Sequence, residues 1–369
     1  MNGYEFRLWF GVMSLLIFLI ALPLIAQDKT PIDSAETGKP SFHGYPYVFY
    51  SPESDFSVGA AAILTFRLLQ EEGTNLSSIT LGGYYSVKNQ YNIALNPEIY
   101  FAHNQYLVFG VVEFGRIVDK FWGVGINTDD TGNADYAKNV FRVQLTGQTE
   151  IVKRLKVGLM YEFNNTLILE KRNNGFLLND QVTGSNGGKI AGLGISLAWD
   201  SRDDVIYPST GGYYKFDYIE FHTAVASDFD FRRITIDLRR FFSLKTNHII
   251  GIQAYGKIVG GDPPFYELAA LGGGQLMRGY YEGRFRDKYY TALQSEYRAT
   301  PWGKFGYAAF LGYGTVADDF SGFRLKDFKY SYGAGLRYAI QEEDKLNVRV
   351  DFGVGQGTTG IYFSIKEAF

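Results

Sequence analysis

Three groups of residues in this 369-residue sequence have types and spacings that could do chemistry. The first is the stretch 272–287, GGGQLMRGYYEGRFRD, in which Gly272, Gly273 and Gly274 precede Arg278, Gly279, Tyr280 and Tyr281. Glycine tolerates positive φ and close backbone approach, so this stretch predicts a chain that folds back on itself. A guanidinium at such a tip can make charge-assisted, bidentate bonds to a carboxylate. Enclosed without one, it would be costly. The second group is Asp200, Arg202, Asp203 and Asp204 in DSRDDVIYPSTGG, 200–212. Three acids so close can bind a cation, but the calcium-loop spacing is missing. An Asp–Arg brace with side-chain-to-backbone bonds, released by Pro208 and Gly211, predicts a structural turn instead. The third group is His43, His103, His222 and His248. None lies beside a serine in a nucleophile motif, and no Gly-x-Ser-x-Gly occurs. The expectation is therefore no enzyme, no cofactor and no metal.

The elements that position these residues follow from composition and period. Tyr (28), Phe (30) and Gly (43) are abundant, Pro is scarce (10), cysteine is absent and the net charge is −3. Absence of cysteine excludes disulfides and thiol chemistry, and a slightly acidic balance argues against a nucleic-acid partner. Arg7 precedes an apolar run from Leu8 to Ile25 that ends at Ala26. It predicts a secretory signal over 1–26, with an uncleaved membrane anchor as the alternative. No cysteine follows Ala26, which excludes a lipoprotein. Residues 27–44 are polar and read as a linker on the periplasmic side.

From Tyr45 to Phe369 the pattern has period two. Val348, Val350, Phe352 and Val354 alternate with Asn347, Arg349, Asp351 and Gly353; Phe141, Val143 and Leu145 alternate with Arg142, Gln144 and Thr146. Successive strand side chains point to opposite sides, so each strand has one apolar and one charged face. A soluble barrel would turn the apolar face inward, and a membrane barrel turns it to lipid. The secretory signal, the aromatic load and strand lengths of roughly 9–13 residues favour the membrane version. Segmentation gives strands at 45–50, 56–67, 76–87, 91–102, 104–114, 137–149, 153–166, 189–199, 211–222, 229–242, 246–258, 289–299, 304–314, 329–339, 344–354 and 359–369. Sixteen is an even number, as a closed single-chain barrel requires. The longest connections follow odd-numbered strands, which predicts an all-β, sixteen-stranded antiparallel transmembrane barrel with both termini in the periplasm and 272–287 in an external loop.

Three motifs then carry a resemblance. The stretch 272–287 resembles the external loop of the BamA/TamA-type superfamily of sixteen-stranded outer-membrane barrels, the bacterial surface antigen family. Asp200–Gly212 resembles that family's Asp-Arg-Asp…Pro…Gly turn, and GIYFSIKEAF, ending in Phe369, resembles the terminal-strand signal read by barrel assembly machinery. The resemblance implies a loop bent into the lumen, its Arg278 paired with inner-wall acids, Glu296 first and Asp351 in reserve. It departs from the family at Phe310-Leu311-Gly312-Tyr313-Gly314, where Gly312 stands in place of an acid. It departs also in the about 18 residues of 27–44, too few for POTRA domains. Three functions stay open: insertion or translocation of proteins or lipids at the outer membrane, a small-solute pore, and a structural barrel serving a separate periplasmic protein. A seam between first and last strands, with Gly357–Gly360 nearby, suits the first. Outer-membrane lipids and the assembly machinery are the implied partners.

Overall fold

A computed structural model describes residues 40–68, 74–129, 134–172, 177, 182–341 and 346–369. The expected signal (1–26) and residues 27–39 of the expected linker lie outside them. The strands are β1 (Ser41–Ser51), β2 (Asp55–Phe66), β3 (Ser77–Ser86), β4 (Tyr91–Phe101), β5 (Tyr106–Phe121), β6 (Ala134–Val152), β7 (Leu155–Arg172), β8 (Gly187–Asp200), β9 (Gly211–Phe221), β10 (Phe231–Lys245), β11 (His248–Gly261), β12 (Ala269–Leu271), β13 (Phe285–Asp287), β14 (Tyr289–Trp302), β15 (Phe305–Ala317), β16 (Lys329–Gln341), β17 (Leu346–Gly355) and β18 (Thr358–Ile365). All but β12 and β13 form one closed antiparallel barrel of sixteen strands in chain order, with β18 returning to β1. The remaining two pair with each other inside the connection from β11 to β14.

The alternation in the sequence becomes an inside and an outside. On β14, Leu293 is 54% exposed while its neighbours Gln294 and Glu296 are buried. Leu159, Leu193, Leu311, Leu336 and Phe352 are likewise exposed on their strands, whereas Glu162, Asn164, Gln253, Arg337 and Asp351 are buried. An exposed apolar exterior around a charged interior is the arrangement of a barrel in hydrocarbon. One rim carries the start of β1 and the end of β18 together with short turns such as 153–154 and 246–247. The opposite rim carries the ends of β5, β7, β11 and β15 and the starts of β6, β8, β14 and β16.

Several boundaries differ from the sequence expectation. β1 begins at Ser41, inside the expected linker, because Ser41 and Phe42 pair with Thr65 and Leu64 of β2. Polar Ser41, His43 and Gly44 hid that pairing from a periodicity reading. β5, β6 and β7 run on past the expected ends into a tall wall, where Phe121 still pairs with Ala134. The last strand stops at Ile365 rather than Phe369, because Lys366 takes φ 70° and turns the chain inward.

The seam between β1 and β18 is thin. Among the described residues Tyr50 with Phe363 is the one aligned pair. By contrast β1 aligns with β2 from Ser41–Thr65 to Ser51–Asp55, and β17 with β18 from Val348–Ile365 to Gly355–Thr358. Both edges at the seam therefore present backbone groups without ladder partners, the feature that makes a strand edge receptive to another chain.

Candidate functional site: a loop arginine in a luminal charge network

After β11 the chain turns into the barrel instead of crossing the rim. Phe265 is buried with Phe121 and Tyr136, and Glu267 accepts from Arg233 of β10 at 3.1 Å. The β12–β13 hairpin then carries the tip, 272–284, across to the wall formed by β14 to β18. Gly273 N–H donates to the Tyr280 carbonyl at 3.0 Å, closing the tip on itself. Met277, Tyr280 and Phe285 join an apolar cluster with Ile219, Phe221, Tyr290 and Val316 under the hairpin.

Arg278 is fully enclosed at the end of this tip. Its Nη2 donates to Glu296 of β14 at 2.6 Å and its Nη1 to Asp351 of β17 at 2.7 Å. Its guanidinium carbon lies 3.4 Å from the ring centre of Phe310, so the planar cation stacks on an aromatic face. Both acids named from the sequence thus pair with the arginine at once. The acid missing at position 312 leaves a space that the Met277 thioether fills, with its sulfur 3.3 Å from where a Cβ on Gly312 would lie.

Hydrogen bonds to the tip backbone and to Tyr280 hold it as well. Gly279 N–H donates to the Tyr362 hydroxyl at 3.0 Å, that hydroxyl lies 3.2 Å from the Tyr280 carbonyl, and Ser331 donates to the Arg278 carbonyl. Tyr280 donates to the Tyr330 carbonyl at 2.9 Å and accepts from Gln356 N–H at 2.7 Å. The Gly274 carbonyl accepts from Arg349 at 2.9 Å. Gly279 has φ 108°, and a Cβ there would sit 2.7 Å from β17 backbone atoms, so only glycine lets the tip lie this close.

The pairing belongs to a larger network that sequence reasoning did not assemble. Glu296 also accepts from Arg298 at 2.7 Å, and Asp351 from Arg337 at 2.6 Å and from Arg349. Arg337 continues to Glu367 at 2.8 Å, which also accepts from Asn347 at 2.8 Å. Arg298 donates to the Phe369 carbonyl at 2.7 Å, and the Phe369 ring packs on Phe241 at 6.0 Å. The available signal was parity: Glu296 and Arg298 on β14, and Arg349 and Asp351 on β17, are two apart and share a face. Arg337 and Glu367 had no such neighbour to announce them. Phe369 lies off the strand, buried at the termini-bearing rim, and not on the lipid face.

Other loop contacts span the far wall and the β1–β2 tip. Arg286 pairs with Asp119 of β5 at 2.9 Å, Arg284 donates to Thr128 at 2.8 Å, and Glu282 N–H donates to Glu53 at 2.8 Å. Desolvation by the packed loop, and then the nearby Glu53 and Asp119 carboxylates, raise the Glu282 carboxyl, whose side chain keeps one side to water.

The Asp200–Gly212 segment is a braced turn between β8 and β9. Arg202 makes a two-pronged pair with Asp200 at 2.9 and 2.7 Å. Asp203 accepts from Ser209 N–H at 2.9 Å and Thr210 N–H at 3.0 Å, and Asp204 from Ile206 and Tyr207 N–H at 2.7 and 2.6 Å. Pro208 is buried and Gly211 has φ 91°. These carboxylates are engaged with the chain's own donors, which is the chemistry of a turn.

Comparison with solved structures finds the same fold. A crystal structure of BamA from Haemophilus ducreyi lacking POTRA domains 1–3 matches with TM-score 0.63 and 12% identity, over 89% of this chain and 70% of that one. CdiB from Acinetobacter baumannii matches with TM-score 0.59 and 12% identity, over 88% of this chain and 59% of that one. CdiB from Escherichia coli gives TM-score 0.59 and 11% identity, over 88% and 62%. No curated protein sequence matches. Residues 75–369 match the Omp85 superfamily domain. With that match over most of its length, the chain belongs to the Omp85 superfamily.

Proposed function

We propose that this barrel inserts or translocates proteins, or lipids, at the bacterial outer membrane, with both termini in the periplasm after removal of residues 1–26. The observation that carries the reading is the seam. A closure that rests on Tyr50 with Phe363 leaves two strand edges able to part at the cost of a few backbone hydrogen bonds, each worth about 0.5–1.5 kcal/mol net. A parted edge then offers its unpaired groups to an incoming strand. In this reading Arg278, clasped to Glu296 and Asp351, holds the loop against β14–β18 and keeps the lumen blocked while the seam works. A separate periplasmic protein supplies the client.

Cysteines at positions 50 and 363 test it, since the chain has no other cysteine. An oxidised Tyr50→Cys/Phe363→Cys barrel should lose client insertion in reconstituted vesicles and regain it with reductant. Full activity with the seam locked overturns the proposal.

A second reading, a small-solute pore, draws on one feature. A cavity of about 320 Å³ between β5–β7 and β9–β10 is lined by Gln144, Thr146, Lys215, Asp217, Arg233 and Thr235. Planar-bilayer conductance of the wild type and of a 272–287 deletion separates the two. Large conductance in both favours the pore, and none in either removes it.

A further inference from the structure

The segment joining β15 to β16, 318–328, does not stand above the rim. It folds outward and lies on the exterior of the wall. Along β15, Leu311 and Tyr313 face outward and are exposed. Thr315 is next in the same alternation, yet it is 1% exposed, because its hydroxyl is covered by and donates to the Asp327 carbonyl at 3.2 Å. The outward Tyr313 hydroxyl donates to the Leu325 carbonyl at 3.1 Å, and its ring stacks on Phe328 at 4.7 Å and 17°. On β14, Tyr289, outward by alternation with Leu293, meets Phe323 edge to face at 6.4 Å. Phe323 and Phe328 therefore face the barrel and fasten the segment down.

The opposite face of the segment is greasy where water would be expected. Phe320 is 78% and Leu325 81% exposed. Phe320 lies edge-on to Phe323 at 5.9 Å, so it continues the apolar surface instead of standing alone. Arg324 and Lys326 flank Leu325 and are exposed. Two short 3₁₀ turns, Phe320–Gly322 and Leu325–Asp327, set this spacing, and Asp319 caps the first by accepting from Gly322 N–H at 2.8 Å.

We propose that 318–328 is a membrane-surface anchor: Phe320 and Leu325 enter the acyl–headgroup boundary of the leaflet at the rim opposite the termini, and Arg324 and Lys326 reach its phosphates. The occupant is lipid because the patch is continuous with the exterior that already faces hydrocarbon, through Tyr313 and Thr315 beneath it. Apolar side chains sunk a few ångströms below the headgroups, with long cationic side chains reaching back up, is how interfacial segments bind. Membrane contact at this rim does not depend on what the seam or the loop does.

The lack of native cysteine makes the test direct. Phe320→Cys and Leu325→Cys, each labelled with an environment-sensitive fluorophore and reconstituted in phosphatidylcholine vesicles, are compared with Asp262→Cys on the same rim. The first two should show blue-shifted, several-fold brighter emission. They should be quenched more by lipid carrying a nitroxide near the headgroup than by one carrying it near the acyl terminus, and little by aqueous iodide. Emission like that at position 262, with full iodide quenching, overturns the anchor. So does quenching that appears only as protein density in the vesicle rises, which would mean that a second copy covers the patch.

Discussion

Arg278 and Asp351 lie 73 positions apart in the chain and 2.7 Å apart in space, both fully enclosed. The wall around them is balanced without the loop. Arg298, Arg337 and Arg349 face Glu296, Asp351 and Glu367, three cations against three anions, and Arg278 is a fourth cation that arrives with the tip.

That balance orders the effects of substitution. Asp351→Ala takes one carboxylate partner from each of Arg278, Arg337 and Arg349, leaving four buried cations against Glu296 and Glu367, and should destabilise by about 3–5 kcal/mol, the range for breaking a buried pair. Arg278→Ala leaves the wall paired and should cost less, its main effect being release of the tip. Thermal unfolding by electrophoretic mobility shift gives the first quantity. A nitroxide at Gln275→Cys, whose freedom reports tip docking, gives the second. A larger unfolding effect for Arg278→Ala than for Asp351→Ala would refute the ordering. A double-mutant cycle isolates the pair term.

Gly279→Ala should free the tip with the barrel intact. The added Cβ meets the Val354 and Gly355 backbone at 2.7 Å, and β17 cannot yield because both its neighbours hold it. Positive φ adds strain for any L side chain. The nitroxide at position 275 should become mobile while barrel mobility on gels stays unchanged. An immobile label would show that the contact relaxes.

Acid should tighten loop docking. Docking raises the Glu282 carboxyl by burial and then by the Glu53 and Asp119 charges, so the docked state binds a proton more readily than the free loop. Docking therefore carries a penalty above that raised pKa, and the penalty is relieved as pH falls through it. The water-facing side of Glu282 keeps the effect small. Label mobility at position 275 should fall on acidification in the wild type and lose that part of its pH dependence in Glu282→Gln. The same pH profile in both would remove Glu282 from the account.

In the β8–β9 turn, Asp203→Ala removes the acceptor for Ser209 and Thr210. In an exposed turn this should cost about 1–2 kcal/mol, from net values near 1 kcal/mol per bond. The denaturant midpoint checks it. Calcium should leave that midpoint unmoved, because the Asp200, Asp203 and Asp204 oxygens already accept from the chain's own N–H groups and Arg202. A calcium-dependent rise would reinstate a metal role.

The barrel was legible because lipid outside and charge inside impose the same two-residue period on every wall strand; Val348–Val354 shows it as plainly as Phe141–Leu145 does. Arg278, Glu296 and Asp351 were legible through the family resemblance of 272–287, and the cost of an enclosed, unpaired guanidinium agrees with it. Less could be read where a local preference yields to a distant one. The three-residue strands β12 and β13 are too short for periodicity, and they pair because the loop is already inside. Arg337 and Glu367 meet only because the chain leaves β18 after Ile365. The outward fold of 318–328 hangs on Tyr313 and Tyr289, which a strand pattern marks only as lipid-facing.

The inward turn at Lys366 also fixes an order of events. Once the wall is complete, the Phe369 ring is packed on Phe241 and its carbonyl is taken by Arg298. Any factor that recognises this aromatic residue must grip it on the unfinished molecule and let go before the final ring of strands joins. The closed wall thus hides the Phe369 ring from any such factor.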